Sequence, residues 1–437
     1  MRPSKIQLAA VDEANLVLDH DGQVNVFLVA GLLERGGFIR RDGRPDLAAL
    51  RTVLDRRIAA LPSLRRVPVL SGRRHHWVEV SPDLEQHIRL VDPVDGLFGL
   101  EQLCGRLMTT PLCLNRPPWE LLVVPGASAR SVGFVLRIHH ALADGMAAVG
   151  IVHQLFARES EVSPLDSRTV LPPVTAPPPA LSAQQGKHPL RRVRRITFGL
   201  RRILTTLFGG HGGQTVLLGD RGPERGVVFV DADLRPLNAR VRPLGMTVND
   251  ALLAATAAGY AAALAAVHEP IPADLRVSIP VALRRRGTSG NQVGVMLVRL
   301  PLGVLDPDSR LRLIADQTRI EKERARDQGT LEFMRGPRGA RIMDRIGRRQ
   351  RLVAGFVTNV PGPPSRMYLA GAPVVAIWPV AVLAANVRLG VAAASYAGRL
   401  WCSVHFDETS VPGAVFAQAM KGEFTRLAGD PGADAPR

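Results

Sequence analysis

Residues 139–145 read His-His-Ala-Leu-Ala-Asp-Gly and follow directly on an apolar stretch at 132–138. An imidazole ionises at about pH 6.5, so histidine is the side chain best suited to taking a hydroxyl proton and returning it at neutral pH. Neighbouring side chains on an extended strand point to opposite faces, so His139 and His140 cannot share one task. One should face the core or an adjoining strand, and the other a cleft. Asp144 follows within a turn and is placed to brace it, by hydrogen bonding or by pairing with an arginine. Gly145 leaves room for a substrate or for unusual backbone dihedrals. The plainer reading is two satisfied histidines at a strand end. The full pattern at a strand-to-loop transition favours a site.

The elements that must position these residues are mixed α and β. Residues 24–30 and 131–138 are strand candidates. Residues 46–61 set Leu47, Leu50, Leu54, Ile58 and Leu61 at three- and four-residue intervals, one apolar helix face. Residues 99–108 repeat the pattern, and 146–156 read as a helix after the histidines. The second half opens on a strand at 226–232, continues with a helix capped by Thr247, and adds a strand at 293–300. Residues 387–395 and 399–406 form a hairpin through Ala397-Gly398. These elements divide the chain into an N-terminal domain at 1–162, a linker at 163–225 and a C-terminal domain at 226–437.

The linker starts rich in proline, alanine and serine, then turns basic. Residues 187–208 interleave Arg191, Arg192, Arg194, Arg195, Arg201 and Arg202 with apolar side chains and carry no acid. Such a segment could lie on an anionic membrane or lipid-droplet surface, or pack as a solvated helix over the domain junction.

A chain of 437 residues exceeds one ordinary core, and 46% hydrophobic content suffices to pack two. The net charge of +17 rests on arginine, because the lysines are only Lys5, Lys187, Lys322 and Lys421. That surface attracts phosphate. Nucleic acid is not the expected source, since aromatics at 5% offer little for base stacking and no binding module is recognisable. Cys104, Cys113 and Cys402 are scattered and odd in number, which points to a reducing cytoplasm rather than a disulfide framework or a metal site. Asp12 and Glu13 interrupt any apolar run behind Arg2 and Lys5, so a secretory signal is not expected. The uncharged stretches at 251–267 and 367–385 are read as a core helix and as buried strands, not as membrane spans.

Further motifs accompany the histidine pair in order: Pro111-Leu112 with Arg116-Pro-Pro-Trp119-Glu120; Val248-Asn249-Asp250; Ile279-Pro-Val-Ala-Leu-Arg284; Gly290-Asn291-Gln-Val293; Thr358-Asn359-Val-Pro-Gly-Pro363 before Tyr368-Leu-Ala-Gly371; and Ser395-Tyr396-x-Gly398. Together they resemble the bacterial wax ester synthase/diacylglycerol acyltransferase family of the CoA-dependent acyltransferase superfamily. Cys113 stands where that family carries aspartate, and Thr358 where it carries serine.

The resemblance implies an α/β fold of two chloramphenicol-acetyltransferase-like domains with the active-site channel at their interface. It implies transfer of a long-chain acyl group from acyl-CoA to diacylglycerol or a fatty alcohol, with no metal and no cofactor beyond that co-substrate. By the superfamily spacing His140 is the general base and His139 a supporting residue. Direct transfer is expected, because no Gly-x-Ser-x-Gly elbow and no Cys-His neighbour is present. Arg284 is a candidate partner for Asp144, and Asn291 or Asn359 a candidate oxyanion donor. Asn249, Asp250 and Trp119 complete the candidate substrate-binding set. For Asn249 and Asp250 the helix-start reading outweighs a direct catalytic one, with Thr247 and Asp250 forming a capping-box-like arrangement. Two alternatives remain: a superfamily acyltransferase acting on a polyketide, glycolipid or other secondary metabolite from a carrier-protein thioester, and a non-catalytic lipid-surface binding protein.

Overall fold

A computed structural model describes residues 5–19, 23–72, 74–143, 145–158, 215–283, 292–303, 306–328 and 337–429. The first half runs β1 (Lys5–Gln7), α1 (Ala10–Val17), β2 (Val26–Leu33), α2 (Leu47–Ala59), β3 (Arg66–Ser71), β4 (Arg74–Glu79) and α3 (Leu84–His87). It continues with β5 (Ile88–Leu90), α4 (Gly96–Leu107), β6 (Trp119–Val124), β7 (Val132–His139), α5 (Gly145–Leu155) and β8 (Ala157–Arg158). The second half contains β9 (Arg225–Asp233), α6 (Leu234–Val241), α7 (Val248–Ala266), β10 (Asp274–Leu283), β11 (Gln292–Pro301), α8 (Pro307–Gln328) and α9 (Pro337–Gly347). It ends with β12 (Gly355–Pro361), β13 (Met367–Leu369), β14 (Ala372–Val380), β15 (Leu389–Tyr396), β16 (Arg399–Asp407) and α10 (Gly413–Leu427).

Among the described residues these strands make a seven-stranded sheet in the order β5-β6-β7-β2-β14-β13-β8 and a six-stranded sheet in the order β11-β10-β12-β15-β16-β9. A small sheet, β1-β4-β3, stands apart. The expected division at residue 226 needs a correction. β13 and β14 come from the second half of the chain yet complete the first sheet, where β14 runs antiparallel to β2 and pairs Trp378 with Ala30 and Val380 with Leu28. Gly31 makes that seam possible, because a Cβ there would stand 2.3 Å from the Ala376 carbonyl oxygen and 2.4 Å from the Phe134 ring.

The same strand joins the two sheets through aromatic contacts. Trp378 stacks on Phe229 of β9 at 4.4 Å and meets Trp401 of β16 edge-on at 5.2 Å. The Tyr396 hydroxyl donates to the Val374 carbonyl and accepts from the Met367 amide, both at 2.8 Å. Deeper in this junction His405 donates from Nδ1 to the Ala381 carbonyl at 2.7 Å, and burial pushes its pKa down to about 3.

Local signals explain most elements. Asp46 caps α2 by accepting from the Ala49 amide, and Leu50, Leu54 and Ile58 form its buried face. The β15–β16 hairpin turns on Ala397 and Gly398, with φ of 47° and 82°, a left-handed pair matched to strand twist. Helix α7 is long and apolar enough to cross a membrane by length and composition, but 67% of its apolar window is buried inside the protein. It packs there as a core helix. The basic stretch at 187–208 lies outside the described residues.

Candidate active site

Strand β7 is buried along its whole length, between β6 and β2, and ends at His139. An ion pair fixes it from below. Arg137 is 1% exposed and donates to Glu120 of β6, to the Leu107 carbonyl at 2.8 Å and to the Thr110 carbonyl. Burial alone would raise the Glu120 carboxyl, but Arg137 and Arg89 outweigh it and hold the group below its ordinary range. Breaking either partner would strand a buried charge beneath the histidines.

The two histidines part company at the strand end. His139 is fully buried. Its Nδ1 lies 3.0 Å from the Ala141 amide, and its Nε2 lies 3.1 Å from Asp19 Oδ2. A backbone N–H can only donate, so Nδ1 carries the lone pair and Nε2 carries the proton that Asp19 accepts. His139 is thereby a neutral imidazole with both nitrogens engaged. It cannot take a substrate proton, which removes it from the candidate catalytic groups and makes it a positioning residue.

His140 is half-buried, with its ring edge-on to Phe27 at a centroid distance of 5.4 Å. Its backbone is clamped from both sides. The amide donates to the Asn25 carbonyl at 3.0 Å, and the carbonyl accepts from Asn15 Nδ2 at 3.2 Å. Asn25 Nδ2 in turn donates to the Asn15 carbonyl at 2.8 Å, closing a cross-link between α1 and the strand end. Asp19, Asn15 and Asn25 escaped the sequence reading, because isolated polar residues carry no spacing signal.

Asp144, Arg284 and Asn291 lie outside the described residues, and so does the expected pairing of Asp144 with Arg284. Gly145 opens α5. Asn249, Asp250 and Asn359, remote in sequence, line one cleft of about 800 Å³ between the start of α7, α8 and the end of β12. Asp250 is there for structure. Its Oδ2 accepts from the Thr247 amide and hydroxyl, and its Oδ1 accepts from the Thr318 hydroxyl at 2.7 Å. The capping box is complete, and the buried carboxylate is engaged at both oxygens by Thr247 and Thr318.

Trp119 also departs from the expected substrate-binding role. It is 2% exposed, stacks on His87 at 4.4 Å and donates from Nε1 to the Leu64 carbonyl at 2.8 Å. It is a core residue. Cys113, at the departure from the aspartate pattern, is exposed and lies 2.8 Å from Asn115 Oδ1.

Comparison with known proteins agrees with this layout. The model of the wax ester synthase/diacylglycerol acyltransferase catalytic domain matches residues 8–252. The model of the family's C-terminal domain matches residues 289–428. The chain belongs to the wax ester synthase/diacylglycerol acyltransferase family. A putative diacylglycerol O-acyltransferase of Mycobacterium tuberculosis is 30% identical over 373 residues, 77% of this chain and 78% of its own length. A second one from the same organism is 27% identical over 465 residues, spanning 96% of this chain and 92% of its own. The wax ester synthase/diacylglycerol acyltransferase from Marinobacter aquaeolei VT8 superposes with a TM-score of 0.72 at 19% identity, over 97% of this chain and all of that one, and shares its fold. Membership in this acyltransferase family fixes the reaction class, and the two-domain α/β architecture is that of the family.

Proposed function

We propose that this acyltransferase moves a long-chain acyl group from acyl-CoA to the hydroxyl of diacylglycerol, a fatty alcohol or both, with His140 as general base. The observation that carries the reading is the locked state of His139. With its lone pair given to the Ala141 amide and its proton to Asp19, only His140 of the pair is left for proton transfer. The names of the relatives point the same way for the acceptor.

The reaction needs little else from the chain. The acceptor hydroxyl gives its proton to His140 as its oxygen attacks the thioester carbonyl. The tetrahedral intermediate collapses with loss of the CoA thiolate, and the protonated imidazole returns the proton to sulfur. General-base assistance of this kind contributes roughly a hundred- to ten-thousandfold. The clamp from Asn15 and Asn25 keeps the His140 backbone from moving as its ring changes charge. The reading carries with it a cytoplasmic location and no cofactor beyond the donor.

The test is transfer from labelled palmitoyl-CoA to dioleoylglycerol and, separately, to hexadecanol. Triacylglycerol or wax ester is the expected product, and the preferred acceptor assigns the enzyme's specificity. Absence of both products, together with activity on a carrier-protein thioester, would replace this reading with the secondary-metabolite one.

A further inference from the structure

A second cleft, of about 1300 Å³, opens where α7 ends and β10, β12 and β15 begin. It is the most basic concavity among the described pockets: Arg276, Arg348, Arg349, Arg351 and Arg388 line it against Glu269 and Asp274. Much of that charge is already committed. Glu269 accepts from the Thr215 hydroxyl at 2.8 Å and the Val216 amide at 2.6 Å. Arg348 pairs with Asp344, and Arg388 binds the Asp220 and Val216 carbonyls. Arg349 and Arg351 are different. Both are exposed, and among the described residues neither has an acidic partner.

The turn that presents them is built rigidly. Gln350 between them is 4% exposed. Its Oε1 accepts from the Leu352 and Val353 amides at 2.8 and 2.7 Å, and its Nε2 donates to the Val353 carbonyl and to Asn386 Oδ1. Asn386 answers by donating to the Gln350 carbonyl at 2.8 Å. A buried amide pair therefore pins the backbone while two guanidinium groups splay into the cleft. Two guanidinium forks presented from one pinned turn, with no acidic partner among the described residues, suit phosphate oxygens, which accept bidentate bonds.

The cleft also adjoins the histidine end of the first sheet. Ala385, next to Asn386, donates its amide to Gln23 Oε1, and Gln23 is two residues from Asn25, which holds the His140 amide. Helix α9, which leads into Arg348, packs on α1, the helix that carries Asn15. We propose that Arg349 and Arg351 bind the phosphates of the donor's 3′-phospho-ADP portion, with the pantetheine arm running past Asn386 toward His140. The assignment rests on the acyl-CoA reading above. A concave cleft suits a compact nucleotide, whereas a bilayer needs a convex or flat basic face.

Two measurements separate this proposal from the reading beneath it. Calorimetry with 3′,5′-ADP needs no turnover. Wild type should bind it with an affinity that falls as salt rises, and Arg349→Ala/Arg351→Ala should lose about tenfold or more. Kinetics then compares palmitoyl-CoA with S-palmitoyl-pantetheine, which lacks the nucleotide. Wild type should prefer the CoA thioester through KM, the double alanine variant should lose most of that preference, and Arg349→Lys/Arg351→Lys should recover part of it. If wild type binds 3′,5′-ADP through these arginines but turns over no acyl-CoA, the cleft assignment stands and the donor reading falls. If the alanine variant keeps both its 3′,5′-ADP affinity and its preference for CoA, the proposal is overturned. It is equally overturned if the variant instead loses only its sedimentation with phosphatidylglycerol vesicles.

Discussion

Asp19 and His139 share a hydrogen bond that, with the Ala141 amide, fixes the tautomer of the buried imidazole. The carboxylate accepts from Nε2 at 3.1 Å while the Ala141 amide occupies Nδ1 at 3.0 Å. The bond ties the segment after α1 to the end of β7, one residue before the proposed base. Losing it removes the partner of a fully buried imidazole, at a cost of about 1–3 kcal/mol. Asp19→Ala should therefore lower the denaturation midpoint and reduce kcat about tenfold with little change in KM. Asp19→Asn, which keeps an acceptor oxygen, should recover most of both. A variant that loses stability but keeps wild-type kcat would show that His139 is merely packed and does not position its neighbour.

The seam between β2 and β14 gives a second prediction. With a Cβ placed 2.3 Å from the Ala376 oxygen, Gly31→Ala must push the two strands apart or twist Phe134 out of place. Overpacking of this kind costs about 1–3 kcal/mol. Because β14 also carries Trp378 into the second sheet, the loss should appear as one cooperative shift in urea unfolding of both halves. An unchanged midpoint would contradict the tight register.

Burial of His405 gives a pH dependence. In the unfolded chain this group takes up a proton as pH falls through about 6.5, whereas in the native state it resists until about 3. Its folded pKa lies below the unfolded one, so its stabilisation is whole above about pH 6.5 and declines as pH falls, by at most about 1.4 kcal/mol per pH unit. Burial lowers the pKa of His87 as well, which adds a slope of the same sign. Urea midpoints from pH 7.5 to 4.5 should therefore fall more steeply for wild type than for His405→Asn, which keeps a donor for Ala381 and cannot ionise. Parallel slopes would contradict the assignment.

Particular residues show how far the sequence could be read. The alternation of a strand already forced His139 and His140 onto opposite faces, and the structure adds which atoms lock the buried one. Thr247 and Asp250 announced their capping box because its spacing is local. The pairing of β14 with β2 left no such trace, since a strand contact between distant segments has no periodicity of its own. Asp19 was invisible for the same reason. Trp119 and Asp250 were drawn toward the substrate by their place in family motifs, yet their polar atoms are spent inside the fold.

The proton-transfer role of His140 is the central claim, and single-turnover transfer from palmitoyl-CoA to the preferred acceptor tests it most directly. His140→Ala should keep the wild-type circular dichroism spectrum and unfolding midpoint while its rate constant falls by about a hundredfold or more. Retention of the wild-type rate by folded His140→Ala would contradict the mechanism outright.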